Sequence, residues 1–333
     1  MKILVLFCGG TIVMTQNKEK ARIPQNKETA IKQIYQLEPR ISEIAEINME
    51  YITNVDSTNI TTNNWDEIIQ IIGKNYQKYD GFVITHGTDT MAYTASALSF
   101  AIQNLGKPIV LTGSQIEGNK LATDARKNFI NAVRITCKNI AGVFIVFNNR
   151  ILKGVRSSKI SESSLDAYTS INASDIGKIN IDIEIDFSVP KRHKKKIKTN
   201  LGFESNILVM TIIPFNNKNN FDYLISILKN KQIKGLILRG YGPGNIPYNF
   251  SKIFDIANKN KIPVIVMSQC LQGITKMKYY DVGIQALKKG VIESYDMSLE
   301  AVTTKLMWAL KHYSYQDISY IMKKNIIGEI MVD

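Results

Sequence analysis

Three cysteines and three histidines in 333 residues close off several chemistries at once. Cys8, Cys137 and Cys270 are odd in number and far apart, so they form neither a disulfide framework nor a cysteine metal quartet. His86, His193 and His312 are too few for a histidine-rich metal site. No apolar run approaches the roughly 20 residues that a membrane span needs. The start MKILVLF has Lys2 ahead of apolar residues, as a leader would. Its apolar run is too short and no small-residue cleavage site follows, so it reads as a buried first strand. Also missing are G-x-G-x-x-G, the P-loop, the G-x-S-x-G elbow and H-E-x-x-H. Dinucleotide, nucleoside triphosphate, esterase and zincin readings lose their main support with them. The expectation is a cytoplasmic protein without metal, organic cofactor or membrane association.

What is present is ordinary for a globular chain: 44% hydrophobic and 21% charged residues. A length of 333 exceeds what one core usually holds, which points to two domains. The formal net charge is +13. Lysine spread over most solvent faces of a chain rich in Lys, Asn and Ile accounts for it, and nucleic acid is not an expected partner. The one dense basic cluster, 190–198 (PKRHKKKIK), lies between two folded-looking halves and reads as a solvated linker.

Apolar, β-branched runs alternate with helical patterns along the first half. Strands are expected at 2–7, 81–85, 108–112 and 142–147, with helices at 28–37, 65–79, 92–104 and 122–137. Continuous apolar strands between helices indicate a parallel sheet covered on both faces. The second half repeats the alternation: strands at 207–213, 235–239 and 263–268, helices at 221–230 and 248–258, and a last helix at 299–311 with Val302, Leu306 and Leu310 on one face. The fold class is therefore α/β. A larger N-terminal domain, 1–188, carries a parallel or mixed, flavodoxin-like sheet; a basic linker spans 189–206; a smaller α/β domain follows at 207–333.

Ligands of open parallel sheets bind beyond the carboxyl ends of the strands, so the residues just after each strand are the ones to examine. After the first strand comes CGGTI (8–12), whose glycines allow a tight turn and close approach to a ligand, and which presents Thr11. After the second comes HGTDT (86–90), where hydroxyls crowd around one carboxylate; after the third, TGS (112–114). RSSKI (156–160) adds a lysine. Thr11, Thr88, Asp89 and Lys159 make a nucleophile kit without histidine. A hydroxyl attacks poorly until a base takes its proton. A lysine can be that base where burial and neighbouring charge lower its pKa. Asp89 can position Lys159 or grip a substrate ammonium, and backbone N–H groups at the glycine turns can stabilise an oxyanion. Each stretch alone has a plainer reading: a turn for GGT, a helix cap for Thr88 and Asp89, a surface lysine for Lys159, a structural role for His86. Their occurrence together, in order, at successive strand ends is what singles them out.

With these motifs the chain resembles the bacterial-type L-asparaginase family over nearly its whole length, and is most similar to its cytoplasmic type I branch. GGTI (9–12) and YDGFVITHGTDTMAYTAS (79–96) match the two family signatures; NVDST (54–58), KPIVLTGS (107–114), Ser158-Lys159 and, in the second half, YGPGN (241–245), SQC (268–270) and DMSLEA (296–301) also fit. The resemblance implies hydrolysis of L-asparagine to L-aspartate and ammonia. It implies that Thr11 attacks the side-chain amide to give an acyl-enzyme, with Thr88, Asp89 and Lys159 as a second triad that activates a hydroxyl or water. Ser57 and Asp89 would hold the substrate's alpha groups, with Asp56 and Thr58 beside them and Ser114 near the amide. A homodimer or homotetramer is implied, in which Asn245 approaches the neighbouring subunit's site. Ser158, Arg239 and Cys270 align with parts of a regulatory asparagine site.

One departure stands out. The family usually carries a tyrosine on the mobile loop after GGT; here 13–25 (VMTQNKEKARIPQ) has none, and Arg22 stands at about that place. A guanidinium stays protonated and cannot replace a phenol, but it can clamp a carboxylate. Activity with an altered lid, a different substrate, or a weakened asparagine-binding protein all remain open. So does an ammonia-supplying subunit of a tRNA-dependent amidotransferase, the task of a related branch that carries an extra N-terminal domain.

Overall fold

The computed structural model describes residues 1–16, 22–23, 26–214 and 218–331, without the side chains of residues 15, 16, 22, 23 and 218–220. The chain divides into two compact units, residues 1–170 with 174–201, and residues 171–173 with 202–333.

The first unit is built on an eight-stranded sheet: β1 (Lys2–Phe7), β2 (Glu46–Tyr51), β3 (Gly81–Thr85), β4 (Pro108–Thr112), β5 (Gly142–Phe147), β6 (Arg150–Lys153), β7 (Gly177–Ile179) and β8 (Ile183–Ile185). Their order across the sheet is 8-7-6-5-4-3-1-2. Strands β1 to β5 are parallel, in the order 2-1-3-4-5 of a flavodoxin-like doubly wound sheet. Strand β6 reverses, and β7 and β8 extend the sheet by antiparallel pairing. The inner strands are buried because both faces are covered; β3 and β4 have no exposed residue. Helix Met91–Ala101 is buried almost all round, as its sequence MAYTASALSFA permits, since its polar residues are small. Register decides where the loops emerge. Phe7 pairs with Thr85, and Thr85 with Thr112, so β1, β3 and β4 end level and release their loops at one edge.

The second unit has a four-stranded parallel sheet, β9 (Ile207–Thr211), β10 (Gly235–Gly240), β11 (Val264–Ser268) and β12 (Ile292–Glu293), in that order. Its core gathers Leu236, Leu238, Phe250, Phe254, Val264 and Val266.

Several expectations need correction. Strand β2 has no counterpart among the expected strands: its residues Glu46, Asn48 and Glu50 interrupt the apolar run, as suits an edge strand with one wet face. Strand β6 intervenes before the lysine segment, and the helix Leu299–His312 is followed by another, Tyr315–Lys323. The basic segment is also more than a linker, because residues up to 201 belong to the first unit. Lys191, Lys194, Lys195, Lys196 and Lys198 are solvated to differing degrees along it. Arg192 is not spent on solvent. Its guanidinium donates to the carbonyls of Lys138 (2.8 Å), Thr136 (2.5 Å) and Asp80. His193 N donates to Gly106 O at 3.1 Å, and Lys198–Thr199 pairs antiparallel with Ile102–Gln103. The segment is a strap on the sheet's flank.

Arg192→Ala should therefore lower unfolding free energy by about 2 to 3 kcal/mol, since it strips a charged donor from three carbonyls. Lys195→Ala should change it by less than about 0.5 kcal/mol. Urea unfolding measures both; equal effects would show that the strap is held by something other than Arg192.

Candidate active site

Four loops meet at the level edge of the β1, β3 and β4 strands, and two glycines let them do so. Gly10 has φ +100°, and a Cβ there would lie 2.7 Å from Gly87 N and from His86 C. Gly87 in turn has no room for a side chain, because a Cβ would lie 2.6 Å from Ser57 Oγ. Only glycine takes the first conformation cheaply, and only glycine leaves the second gap closed. Thr11, half-buried at the start of a short 3₁₀ turn, follows directly on this contact of Gly10 with the 86–87 backbone.

The segment 56–58 is stitched to 89–90. Asp89 N donates to Ser57 Oγ at 3.2 Å, and Thr90 Oγ1 donates to Ser57 O at 2.7 Å. Ser57 is buried, at 3% exposure. Asp56 caps its own turn, accepting from Thr58 N at 2.9 Å and Thr58 Oγ1 at 3.0 Å. Beyond β4, Ser114 is fully buried and its Oγ has no hydrogen-bond partner among the described residues.

Lys159 arrives from a short hairpin, Ser157–Lys159 paired antiparallel with Tyr168–Ser170. Its Nζ lies 2.8 Å from Thr88 Oγ1 and 2.6 Å from Asp89 Oδ1. The lysine side chain is 16% exposed and the aspartate 53%, so the pair is sheltered on one side and open on the other. Tyr168, opposite Lys159 in the hairpin, donates its hydroxyl to Thr88 O. Its ring packs on Phe147 at the end of β5, centroids 5.1 Å apart. Gln115 accepts from Thr88 Oγ1 at 3.2 Å. Gln115 is not singled out by sequence, because a Gln after a strand carries no chemical signal of its own, and Tyr168 is given no role by it beyond lying in a segment, 166–168, that fits the family's lysine segment.

His86 has a structural place. It is fully buried; Nδ1 is 2.7 Å from Gly87 O and Nε2 is 2.9 Å from Thr94 Oγ1, which also accepts from Trp65 Nε1 at 2.9 Å. A carbonyl only accepts, so Nδ1 carries the proton and Nε2 accepts from Thr94. Burial pushes this imidazole down to about 4, against the Gly87 hydrogen bond, which raises it.

The remaining expected residues are more scattered. Ser158 stays in the first unit, opposite Thr169 in the hairpin. Asn245, Arg239 and Cys270 belong to the second unit. There Asn245 N donates to Tyr241 O at 2.8 Å, and Arg239 reaches Gln269 O at 3.3 Å and Thr211 Oγ1 at 3.5 Å. Cys270 is exposed. Arg22 pairs with Gln16 through its backbone, while its side chain lies outside the described residues, as do residues 17–21 and 24–25 of the same loop. Among the described residues no cluster of His, Cys, Asp and Glu could hold a metal.

The depressed His86 pKa makes a thermodynamic prediction. Between about pH 6.5 and 4 the unfolded imidazole binds a proton that the folded one refuses, so stability falls as pH drops through that window. Replacement of His86 by Gln should flatten the slope of unfolding free energy between about pH 4.5 and 6.5. An unchanged slope would assign it to other groups.

Residues 2–191 match the family model described as "Asparaginase, N-terminal", and residues 212–322 match "Glutaminase/Asparaginase C-terminal domain". The L-asparaginase of Thermococcus kodakarensis is 36% identical over 334 residues, covering 99% of each chain. The crystal structure of L-asparaginase I from Vibrio cholerae superposes with a TM-score of 0.88 at 32% identity, covering 99% of both chains. A glutamyl-tRNA(Gln) amidotransferase subunit of Pyrococcus abyssi is 30% identical over 341 residues, which are 99% of this chain and 76% of that one. Two family models in sequence order and full-length relatives at this identity leave one assignment: the chain belongs to the asparaginase family.

Proposed function

We propose that the protein hydrolyses L-asparagine to L-aspartate and ammonia by acyl transfer through Thr11. The observation that carries this reading is Lys159 Nζ within hydrogen-bond distance of both Thr88 Oγ1 and Asp89 Oδ1, just after the His86–Gly87 backbone that packs on Gly10, the residue before Thr11. Thr11 Oγ attacks the carboxamide carbon, giving up its proton as the C–O bond forms. The tetrahedral intermediate collapses, the protonated amine leaves as ammonia, and an aspartyl ester remains on Thr11. Water then attacks the ester; one of its protons returns to Thr11 Oγ and aspartate departs. Thr88 Oγ1 takes each proton as it passes its own to Lys159 in the neutral amine form, and the return follows the same route; Asp89 holds the lysine head once it carries the charge.

The substrate's alpha groups have matching partners at the same edge. The half-exposed Asp89 carboxylate presents an acceptor to the alpha-ammonium. Ser57 Oγ accepts from Asp89 N, so its own proton is available for the alpha-carboxylate, with Asp56 and Thr58 alongside. Ser114, buried with its hydroxyl unpartnered among the described residues, suits the amide end. Asn245 would serve from a neighbouring protomer of a cytoplasmic homodimer or homotetramer. Ser158, Arg239 and Cys270 would serve a regulatory asparagine site.

Purified protein should release ammonia from L-asparagine. Thr11→Ala and Thr88→Ala should each lower kcat by about a thousand-fold or more while circular dichroism stays unchanged. Ordinary turnover by the double variant would refute both assignments. The likeness to the Pyrococcus amidotransferase chain favours a second reading, supply of ammonia to a tRNA-dependent partner. Activity that appears only with a co-purifying protein and tRNA would select that one. Tight asparagine binding by calorimetry without ammonia release would select a binding protein.

A further inference from the structure

We propose that Gln115 is a positioning residue of this reaction: its amide fixes the direction of the Thr88 hydroxyl and ties Thr88 to the loop that follows Lys159. The inference rests on the asparaginase reading and names a group that reading does not use.

The orientation of the amide follows from its partners. Gln115 is buried, and its Nε2 donates to Glu162 O at 3.0 Å and Ser164 O at 3.1 Å, with Ser161 O at 3.5 Å. Carbonyl oxygens only accept, so the nitrogen must face them and Oε1 must face Thr88. Oε1 also only accepts, so across the 3.2 Å contact Thr88 is the donor. The hydroxyl proton is then committed to Gln115, and Thr88 Oγ1 meets Lys159 with a lone pair at 2.8 Å. In the resting site donation runs from Lys159 to Thr88 to Gln115; transfer to a neutral Lys159 turns the Thr88 O–H about its Cβ–Oγ1 bond while Oγ1 itself stays in place.

Gln115 is itself held. The Asp124 carboxylate accepts from Gln115 N at 3.1 and 3.0 Å and from Ile116 N at 3.0 Å. Asn128 Nδ2 donates at 3.0 Å both to Asp124 Oδ2 and to Gly113 O. The side chain therefore joins a rigid helix start, at Asp124, to the 161–164 loop that follows Lys159. Without the amide, the Thr88 hydroxyl regains its other staggered positions and the loop loses its tie. Thr88 Oγ1 then lies beside Lys159 for only part of the time, which lowers the rate of proton transfer between them more than it weakens substrate binding.

The test compares wild type, Gln115→Met and Gln115→Glu in ammonia release, thermal melting and crystal structures. Gln115→Met keeps the volume but has neither a strong donor nor a strong acceptor. Its kcat should fall by about ten-fold or more with KM within about two-fold, and its kcat–pH profile should change shape. Gln115→Glu sets an oxygen against the loop carbonyls and should melt lower as well. A wild-type kcat for Gln115→Met would overturn the proposal. So would a reduced kcat with a pH profile that superposes on wild type and a matching loss of folded protein. A wild type that releases no ammonia from asparagine defeats the functional reading instead. The crystal structures then decide: Thr88 Oγ1 turned away from Lys159 in Gln115→Met supports the proposal, and an unmoved Thr88 ends it.

Discussion

An ammonium held between a hydroxyl and a carboxylate is the contact on which the rest of this site depends. Lys159 would be a poor occupant of a half-buried cleft by itself, because taking a charge from water costs more than one neutral hydrogen bond returns. Asp89, at 2.6 Å, offsets that cost, and its own exposure keeps part of it in water. Thr88 is then placed by three contacts from different directions: Lys159 Nζ, the Gln115 amide, and the Tyr168 hydroxyl on its carbonyl. Two of the three come from one hairpin, where Lys159 and Tyr168 face each other. A small element thereby sets both the side chain and the backbone of Thr88.

Close backbone approach is the second constraint. The turns at Gly10 and Gly87 have no space for a Cβ, and a Cβ on Gly113 would lie 2.3 Å from His86 O. These contacts explain why the candidate residues from loops after β1, β3 and β4 share one edge. The sheet order 2-1-3-4-5 does the rest. The order of connection reverses between β1 and β3, and the crevice at such a reversal is where sheets of this kind bind ligands. His86, which motif reading alone could promote to a base, is removed from the chemistry by burial and by two committed ring nitrogens.

The charge excess has a similarly divided account. Most of the basic strap is solvated lysine, but its single arginine caps three carbonyls on the flank of the first unit. Arginine suits this because its planar fork can serve several acceptors at once, whereas the lysines around it remain point charges in water.

Elements with strong local signals are legible in the sequence. Strands β1, β3, β4 and β5 begin and end where the apolar runs do, since burial on both faces demands uninterrupted apolar side chains. HGTDT and GGT stand out because glycine and hydroxyls cannot continue a core strand. Strand β2 does not stand out, because a one-sided edge strand looks like a polar segment. Gln115 and Tyr168 acquire meaning only from what they touch, 27 and 80 residues away from Thr88 in sequence. Local composition thus determined the layered α/β class and the four residue types of the proposed chemistry. Which of them share a cleft, and which way the Thr88 proton points, was decided by tertiary structure, because hydrogen-bond direction depends on partners that lie next to each other only after the sheet has formed.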